Sequence, residues 1–207
     1  MDSLFLVIGG YLNIFGGIAL LIYWYAFAIF LPYGELSTTL SILVKNRNWS
    51  WINWLGVSGA TAGLLGQASI YLFQVEASNL FGSIGFYVAV LGTTFLIGTM
   101  TWETVLWPIL VKQDESWLSF TGPIYSSRIF MPFFIVSGLV YAVGYVLVGI
   151  GVMQSGLFPA LPGLLLAIGA PAFALGALFG KFQVYPRSLG VTLMSIGLIW
   201  FGLLLIN

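Results

Sequence analysis

Residues 129–180 form an unbroken run of 52 residues without a charged side chain. A helix that crosses a bilayer needs about 20 apolar residues, so this run is long enough for two crossings. Only 6% of the residues in the whole chain are charged, whereas an ordinary soluble domain has about 25%. Water cannot be the main solvent of such a surface. The sequence therefore predicts an integral membrane protein that crosses the bilayer several times.

Long apolar runs separated by short polar segments predict an all-α membrane protein with a single domain, residues 1–207. The bundle has six predicted transmembrane helices, at residues 4–31, 52–75, 80–102, 129–153, 158–180 and 189–206. The runs are continuously apolar and do not alternate, which favours helices over the strands of a membrane barrel.

The basic residues indicate an orientation, because all of them fall in the loops after the first, third and fifth predicted spans. They are Lys45, Arg47, Lys112, Arg128, Lys181 and Arg187. Basic residues close to span ends stay on the cytoplasmic side. We therefore expect these three loops to face the cytoplasm and both termini to face outward, in a membrane of the prokaryotic cytoplasmic type.

The first loop carries an apolar pattern of its own. Leu36, Leu40 and Leu43 recur at helical spacing just before Lys45. This pattern predicts a short interfacial helix whose apolar face lies in the lipid. The alternative is an ordinary loop that folds against the bundle.

Two spans share features that are typical of an internal repeat. The tripeptide Phe-Gln-Val occurs at 73–75, at the end of the second span, and again at 182–184, at the end of the fifth. Both spans are also rich in glycine, and paired spans of this kind occur in transporters built from inverted repeats. A weak 3+3 inverted repeat is one interpretation, and chance similarity in a biased composition is the other.

Small residues at a spacing of four also predict where helices pack closely. Gly59 and Gly63 form one such pair, and Gly176 and Gly180 form another. Such pairs let two helix backbones approach each other, and this packing role is favoured over a functional one. Pro171 interrupts the fifth span and removes one helix hydrogen bond, so a simple bend is its ordinary explanation.

Four residues make up the candidate polar or transport site: Asn13, Gln67, Glu103 and Pro171. Asn13 and Gln67 lie deepest in their spans, where an amide needs a hydrogen-bonding partner. A bond to another helix is the simpler role, and contact with a ligand is the alternative. A carboxylate within a span is a functional candidate. The offset of Glu103 from the start of its span, however, predicts a position near the cytoplasmic boundary.

The composition excludes several chemistries. The chain contains neither cysteine nor histidine, so no haem, iron–sulfur cluster or zinc ion can be held by those ligands. We predict no cofactor, although a lipid or other apolar molecule could bind between aromatic residues such as Tyr141 and Tyr145. Nothing in the charge pattern favours nucleic acid. No motif identifies a family.

The sequence therefore leaves two function classes open and makes an enzyme the third. We expect a non-catalytic accessory or assembly subunit that packs against membrane lipids and other membrane chains or a second copy of itself. The alternative is a small transporter or permeation protein with a site between the second and fifth spans. One catalytic route stays open, in which Glu103, Asp114 and Glu115 would converge on a metal ion.

Overall fold

The computed structural model describes residues 3–31, 39–77, 79–119 and 121–207, and these residues form helices and turns without a strand. The helices are α1 (Ser3–Phe30), α2 (Leu40–Lys45), α3 (Trp49–Gln74), α4 (Leu80–Val105), α5 (Trp107–Gln113), α6 (Phe130–Ser155), α7 (Ala160–Gly176) and α8 (Val184–Ile206). Three short 3₁₀ segments, Val75–Ala77, Glu115–Leu118 and Ala177–Phe182, lie in the connections.

Five of the long helices are long and apolar enough to cross a membrane: α1, α4, α6, α7 and α8. The protein is therefore an all-helical, multi-pass membrane protein by length and composition. The remaining long helix, α3, is as long as α4, with 26 residues each. It is less apolar than the other five because it contains the polar residues Asn53, Gln67 and Gln74, whose side chains are buried. The predicted count of six spans is not confirmed.

The six long helices form a closed ring in the order α1, α3, α4, α6, α7, α8, with α8 packed against α1. Neighbouring helices run antiparallel. At the α4–α6 contact, for example, Gly85 faces Val148 and Gly92 faces Tyr141, so the numbering falls on one helix as it rises on the other. The connections after α1, α4 and α7 consequently share one end of the ring, here called the basic end because it carries the basic residues.

The ring order does not support the predicted inverted repeat. A two-fold axis in the membrane plane would have to carry α1, α3 and α4 onto α6, α7 and α8. Rotation about such an axis turns the ring over, so that helices in clockwise order are carried to counter-clockwise order. Placing α1, α3 and α4 on α6, α7 and α8 would require the order to stay clockwise. The predicted 3+3 inverted repeat is therefore not confirmed.

The contact between α4 and α6 is made by backbone against backbone. A Cβ atom added at Gly85 would lie 2.6 Å from the backbone nitrogen of Val148. One added at Gly144 would overlap the backbone of Ala89, and one added at Gly151 would overlap Gly82. Small residues permit this approach, which increases van der Waals contact along the whole seam.

Helix α1 also packs closely through glycines, and it does so against two neighbouring helices. A Cβ atom at Gly16 would lie 2.7 Å from the backbone nitrogen of Gly63 on α3. A Cβ atom at Gly17 would lie 2.7 Å from the carbonyl oxygen of Ser195 on α8. Adjacent glycines thus bring two neighbours against one helix, which fixes α1 between α3 and α8.

The four glycines predicted to pack helices differ in how closely a neighbouring helix approaches them. A Cβ atom at Gly59 would lie 3.0 Å from the backbone of Leu20 on α1, and one at Gly176 would lie 3.1 Å from the backbone of Arg187 on α8. At Gly63 the nearest atom would be a methyl group of Leu198, at 3.6 Å. The surroundings of Gly180 lie outside the described part of the structure.

The first loop differs from its prediction. A short helix, α2, does begin at Leu40, but Leu43 is 3% exposed and packs in the protein core with Leu40 beside it. The apolar side of α2 therefore faces α5 and the Glu115–Leu118 segment instead of lipid, because those elements provide the nearest apolar surface. Leu36 lies outside the described residues. The interfacial helix is not confirmed, and folding of the loop against the bundle describes α2 better.

We predict that Gly144→Ala lowers the free energy of unfolding by about 1–3 kcal/mol, the usual cost of overpacking. The added methyl group would overlap the backbone of Ala89, which cannot move without disturbing α4. Thermal unfolding in detergent micelles measures the effect. Gly98→Ala is the matched control, since a Cβ atom there meets nothing within 4 Å. Equal melting temperatures for both variants would contradict the close α4–α6 approach.

Candidate functional site

A small cavity of about 30 Å³ lies at the centre of the ring, and every long helix contributes to its wall. This volume has room for roughly two water molecules. The lining residues are Leu20, Tyr23, Ala60, Gly63, Thr93, Leu96, Met100, Tyr141, Tyr145, Phe173, Val191, Met194 and Leu198. Thr93 and Tyr141 lie close to the midpoints of α4 and α6, so the cavity lies halfway along the helices.

The polar atoms of the cavity wall are hydroxyl groups. The hydroxyl of Thr93 donates a hydrogen bond to that of Tyr145 at 3.5 Å, and the hydroxyl of Tyr141 donates to the sulfur of Met194 at 3.2 Å. The rings of Tyr141 and Tyr145 lie 4.8 Å apart. None of the lining residues carries a charge, so the wall can orient uncharged hydrogen-bonding molecules but cannot supply an acid or a base near neutral pH.

Three buried polar side chains lie on neighbouring helices of the ring, and we call them the mid-span polar group: Asn13 of α1, Gln67 of α3 and Ser195 of α8. Each is 0% exposed. Neither the amide nitrogen nor the amide oxygen of Gln67 has a hydrogen-bonding partner among the described residues, and the same holds for Oδ1 of Asn13 and Oγ of Ser195. Each unpaired buried group costs about 1–3 kcal/mol, so a structure that keeps several of them requires an explanation.

The mid-span polar group is arranged around one level of the ring. A Cβ atom at Gly66, next to Gln67, would lie 2.7 Å from Oδ1 of Asn13. Gly17, one turn along α1 from Asn13, faces the backbone of Ser195. Gln67 follows the cavity-lining residue Gly63 by one turn on the same face of α3. Gln67, Asn13 and Ser195 are themselves not among the residues that line the cavity.

Glu103 lies away from this level. It is ten residues beyond Thr93 on α4, or about 15 Å further along the helix. It is half-buried in the last turn of α4, where its carbonyl oxygen accepts a hydrogen bond of 3.1 Å from the indole of Trp49. Its carboxylate interacts electrostatically with Arg187. The structure therefore places Asn13 against Gly66, the residue before Gln67, and places Glu103 at the basic end.

Pro171 lies inside α7 but does not line the cavity. Its ring nitrogen cannot donate a hydrogen bond to the carbonyl of Ala167. Phe173, two residues later, does line the cavity. The interruption therefore lies in the segment of α7 that faces the central space. Across the ring, Ala60 and Gly63 provide the wall from α3.

Aromatic side chains close the basic end of the ring. The rings of Phe173, Trp24, Phe27, Trp49 and Trp107 form a continuous series with centroid distances of 5.5, 5.7, 6.0 and 6.0 Å. Four of them are below 9% exposed: Trp24, Phe27, Trp49 and Trp107. The series joins α7 and α1 to α3 and α5, so it covers the cavity on that side.

Arg187 adds a charge to this closure. Its guanidinium carbon lies 4.6 Å from the ring centroids of both Trp24 and Phe173, which is the range of a cation–π contact. The indole nitrogen of Trp24 donates a hydrogen bond of 2.7 Å to the hydroxyl of Ser188. The sequence identified Arg187 only as a marker of orientation, because its aromatic partners come from other helices.

A smaller aromatic group closes the opposite end. The ring of Phe158 lies 4.9 Å from that of Phe73 and 5.1 Å from that of Phe201. Phe158 and Phe201 are buried in the same apolar cluster as Ile70 and Leu205. The central cavity is thus separated from both ends of the ring by apolar and aromatic side chains.

The acidic residues of the third loop do not form a metal site in the described part of the chain. Among those residues no three acidic side chains are grouped to hold a metal ion. Glu115 forms an exposed ion pair with Lys45 of α2. Asp114 accepts a hydrogen bond of 2.9 Å from the backbone N–H of Ser116, and hydrogen bonds from Ser116 hold the pKa of Asp114 below its usual value.

Sequence reasoning singled out Asn13 and Gln67 but missed Thr93 and Ser195. Hydroxyl residues are common in membrane helices, where they hydrogen-bond to a carbonyl one turn earlier, so their presence alone carries little signal. Their position in this ring follows from helix packing and not from a local pattern. Comparisons of the chain with protein-family models, curated proteins and solved structures find no match.

We predict that Trp49→Ala lowers the free energy of unfolding by about 3–5 kcal/mol, the usual cost of deleting a buried indole. The variant loses the hydrogen bond to Glu103 and the stacking on Trp107. Thermal unfolding measures the loss. Trp51→Ala is the control, because Trp51 is 44% exposed and we expect a change of about 1 kcal/mol or less. Similar losses in both variants would contradict a structural role of the aromatic series.

Proposed function

We propose that the protein is a small transport or permeation protein whose pathway follows the axis of the helix ring. One observation carries the proposal: the six long helices surround a cavity halfway along their length, and two buried side chains without described hydrogen-bonding partners lie close to its lining, Gln67 one turn from Gly63 and Ser195 next to Met194. A bundle that only needs to be stable gains nothing from such groups, because an apolar core of similar shape costs less. Polar groups at the middle of a membrane bundle commonly mark the path of a solute.

The position of the cavity also fits the site proposed between the second and fifth long helices. α3 and α7 occupy opposite positions in the ring, and Gly63 and Phe173 approach the cavity from the two sides. Pro171 interrupts α7 within this region. An interrupted helix beside a mid-membrane site is a recurring feature of transporters.

The closures at the two ends suggest a protein in its closed form. The series from Phe173 to Trp107 covers one side, and the group around Phe158 covers the other. A solute would pass if one closure opened while the other stayed packed. The two closures differ in composition: the basic end contains Arg187 and several indoles, whereas the closure around Phe158 is made of phenyl rings packed with aliphatic side chains.

For the topology we propose that α3 also crosses the membrane, which gives six spans with both termini outside. The polar residues of α3 that reduce its apolar character, Asn53, Gln67 and Gln74, are buried inside the protein and do not face lipid. The basic residues of the three loops at the basic end favour the cytoplasmic side for that end.

We predict that reporter enzymes fused after Arg47, Lys112 and Arg187 are active in the cytoplasm, and that reporters fused after Glu76 and Asn207 are active outside. The reason is the exclusive placement of lysine and arginine in loops at one end. An external reporter signal after Lys112 would overturn the orientation.

The accessory or assembly subunit expected from the sequence stays a prediction. Its support is an apolar exterior, and lipid covers such a surface as well as a partner chain does. A reconstitution experiment separates the two hypotheses, because an accessory subunit on its own should conduct nothing.

We predict that liposomes containing the purified protein are permeable to at least one probe from a panel of water, acetamide, glycerol, sodium, potassium and protons. Shrinkage and dye assays measure these fluxes against protein-free liposomes. Gly63→Ala should reduce the flux at least threefold, because the added methyl group takes space at the cavity wall and makes only an ordinary contact, 3.6 Å from Leu198.

The matched control for this substitution is again Gly98→Ala, since Gly98 is exposed, does not line the cavity and leaves an added Cβ atom without a neighbour within 4 Å. Flux through that variant should equal flux through the unchanged protein. Absence of flux for every probe would contradict the transport function and leave the accessory subunit as the remaining hypothesis.

A further inference from the structure

The hydroxyl group of Thr93 is used differently from the other threonine hydroxyls of α4. Thr94, Thr101 and Thr104, for example, each donate a hydrogen bond to the carbonyl oxygen four residues earlier, at 2.6–2.8 Å. Such a bond within the helix is common for threonine in a membrane span. Thr93 instead donates across the bundle to the hydroxyl of Tyr145 on α6. Both side chains line the central cavity, so this polar contact belongs to the cavity wall.

The contact between Thr93 and Tyr145 leaves hydrogen-bonding capacity unused. The two oxygen atoms lie 3.5 Å apart, whereas hydroxyl groups in direct contact are usually about 2.7–2.8 Å apart. Thr93 is the donor, and the hydroxyl of Tyr145 forms no other hydrogen bond with the described residues, so its proton lacks an acceptor among them. The two residues are 2% and 3% exposed, so bulk solvent does not supply that acceptor.

An unfilled space lies beside these hydroxyl groups. The cavity that Thr93 and Tyr145 line has a volume of about 30 Å³, and one water molecule needs roughly 10–15 Å³ measured in this way. A buried water also needs at least two polar partners, which the two hydroxyls provide. A long polar contact next to free space is the arrangement in which a water molecule bridges the two groups.

The rest of the cavity wall restricts the class of the occupant. It consists mostly of aliphatic, aromatic and thioether side chains, and it includes no charged residue. An ion would lose its hydration there without a counter-charge, which is costly at low dielectric. A purely apolar molecule would leave the buried proton of Tyr145 without an acceptor, which is also unfavourable. Water is small and uncharged, and it both donates and accepts hydrogen bonds.

We propose that Thr93 and Tyr145 form a binding site for a water molecule in the central cavity. The water accepts the proton of Tyr145 and donates to the oxygen of Thr93. Because this site lies halfway along the helices, it also makes water the solute that the pathway carries, in preference to ions and to larger molecules such as glycerol. This second part rests on the proposed transport function, whereas occupancy of the site by water does not.

Osmotic water permeability of liposomes tests the second part. Thr93→Val replaces the hydroxyl with a methyl group, and Tyr145→Phe removes the hydroxyl alone. We expect each substitution to lower the protein-dependent permeability by about threefold or more, the effect of losing one hydrogen bond. Stopped-flow light scattering against protein-free liposomes measures it. Thr93→Ser keeps a hydroxyl and should retain the permeability of the unchanged protein.

The matched controls remove hydroxyls that do not reach the cavity. Thr94→Val deletes a group that bonds within α4, and Tyr87→Phe deletes one on a side chain that is 67% exposed. Both variants should conduct water as the unchanged protein does. Equal permeability in Thr93→Val, Tyr145→Phe and the two controls would overturn the role of the water site in transport.

Occupancy of the site is measured on the unchanged protein by nuclear magnetic resonance in detergent micelles. Threonine methyl groups are labelled with ¹³C, and the methyl of Thr93 is assigned from its absence in Thr93→Val or Thr93→Ser, so one folded variant is enough. We expect a nuclear Overhauser contact between this methyl and a long-lived water, lost in Tyr145→Phe. A saturable shift of the methyl signal in xenon, without any water contact, would show a dry cavity and overturn the site.

Failure of this inference can be distinguished from failure of the proposed function. A water contact at Thr93 in a protein without any flux would reject transport and retain the water site. Flux of glycerol or of an ion, with water permeability no higher than in protein-free liposomes, would retain transport and reject water as the solute. Water flux that Thr93→Val and Tyr145→Phe leave unchanged, with no water contact at Thr93, would retain transport and reject the site.

Discussion

Close approach of helix backbones at glycine is the constraint on which this structure depends. In a membrane the exterior of each helix is no less apolar than lipid, so burial of apolar surface drives association weakly and packing must supply the rest. Gly85, Gly144 and Gly151 let α4 and α6 meet backbone to backbone. Gly16 and Gly17 do the same for α1 against two neighbours. Close contacts of this kind leave little free space inside the ring, which is why the central cavity is small.

The kind of polar side chain in the interior changes along the ring axis. Charged groups of the interior lie toward the basic end, where Arg187 packs on Trp24 and Phe173 and where Glu103 lies in the last turn of α4. Among the described residues, the polar side chains in the middle are amides and hydroxyls. Since the cost of a charge rises steeply away from water, this distribution gives a neutral environment at the depth where a solute would lose most of its hydration. Side chains at this depth can bind a solute through hydrogen bonds.

Much of the fold could be predicted from the sequence, because long apolar runs are a local signal. The helix over Leu80–Val105 begins at the predicted residue, and that over Phe130–Ser155 begins one residue later than predicted. Buried amides such as Gln67 were visible as polar residues in apolar runs. The ring order, the alternative orientation of α2 and the roles of Thr93 and Ser195 could not be predicted, since each depends on which helix lies opposite. Three shared residues suggested a repeat that the ring order does not support.

The connectivity of the ring has a consequence for how the protein is made. Five of its six seams join helices that are consecutive along the chain, and only the seam between α1 and α8 joins distant segments. Consecutive hairpins can pair as they leave the ribosome, with little entropic cost of loop closure. Until α8 is made, the side of α1 that carries Gly10 and Gly17 has no neighbouring helix. Insertion of α8 therefore completes the enclosure, and the chamber does not exist before α8 has been made.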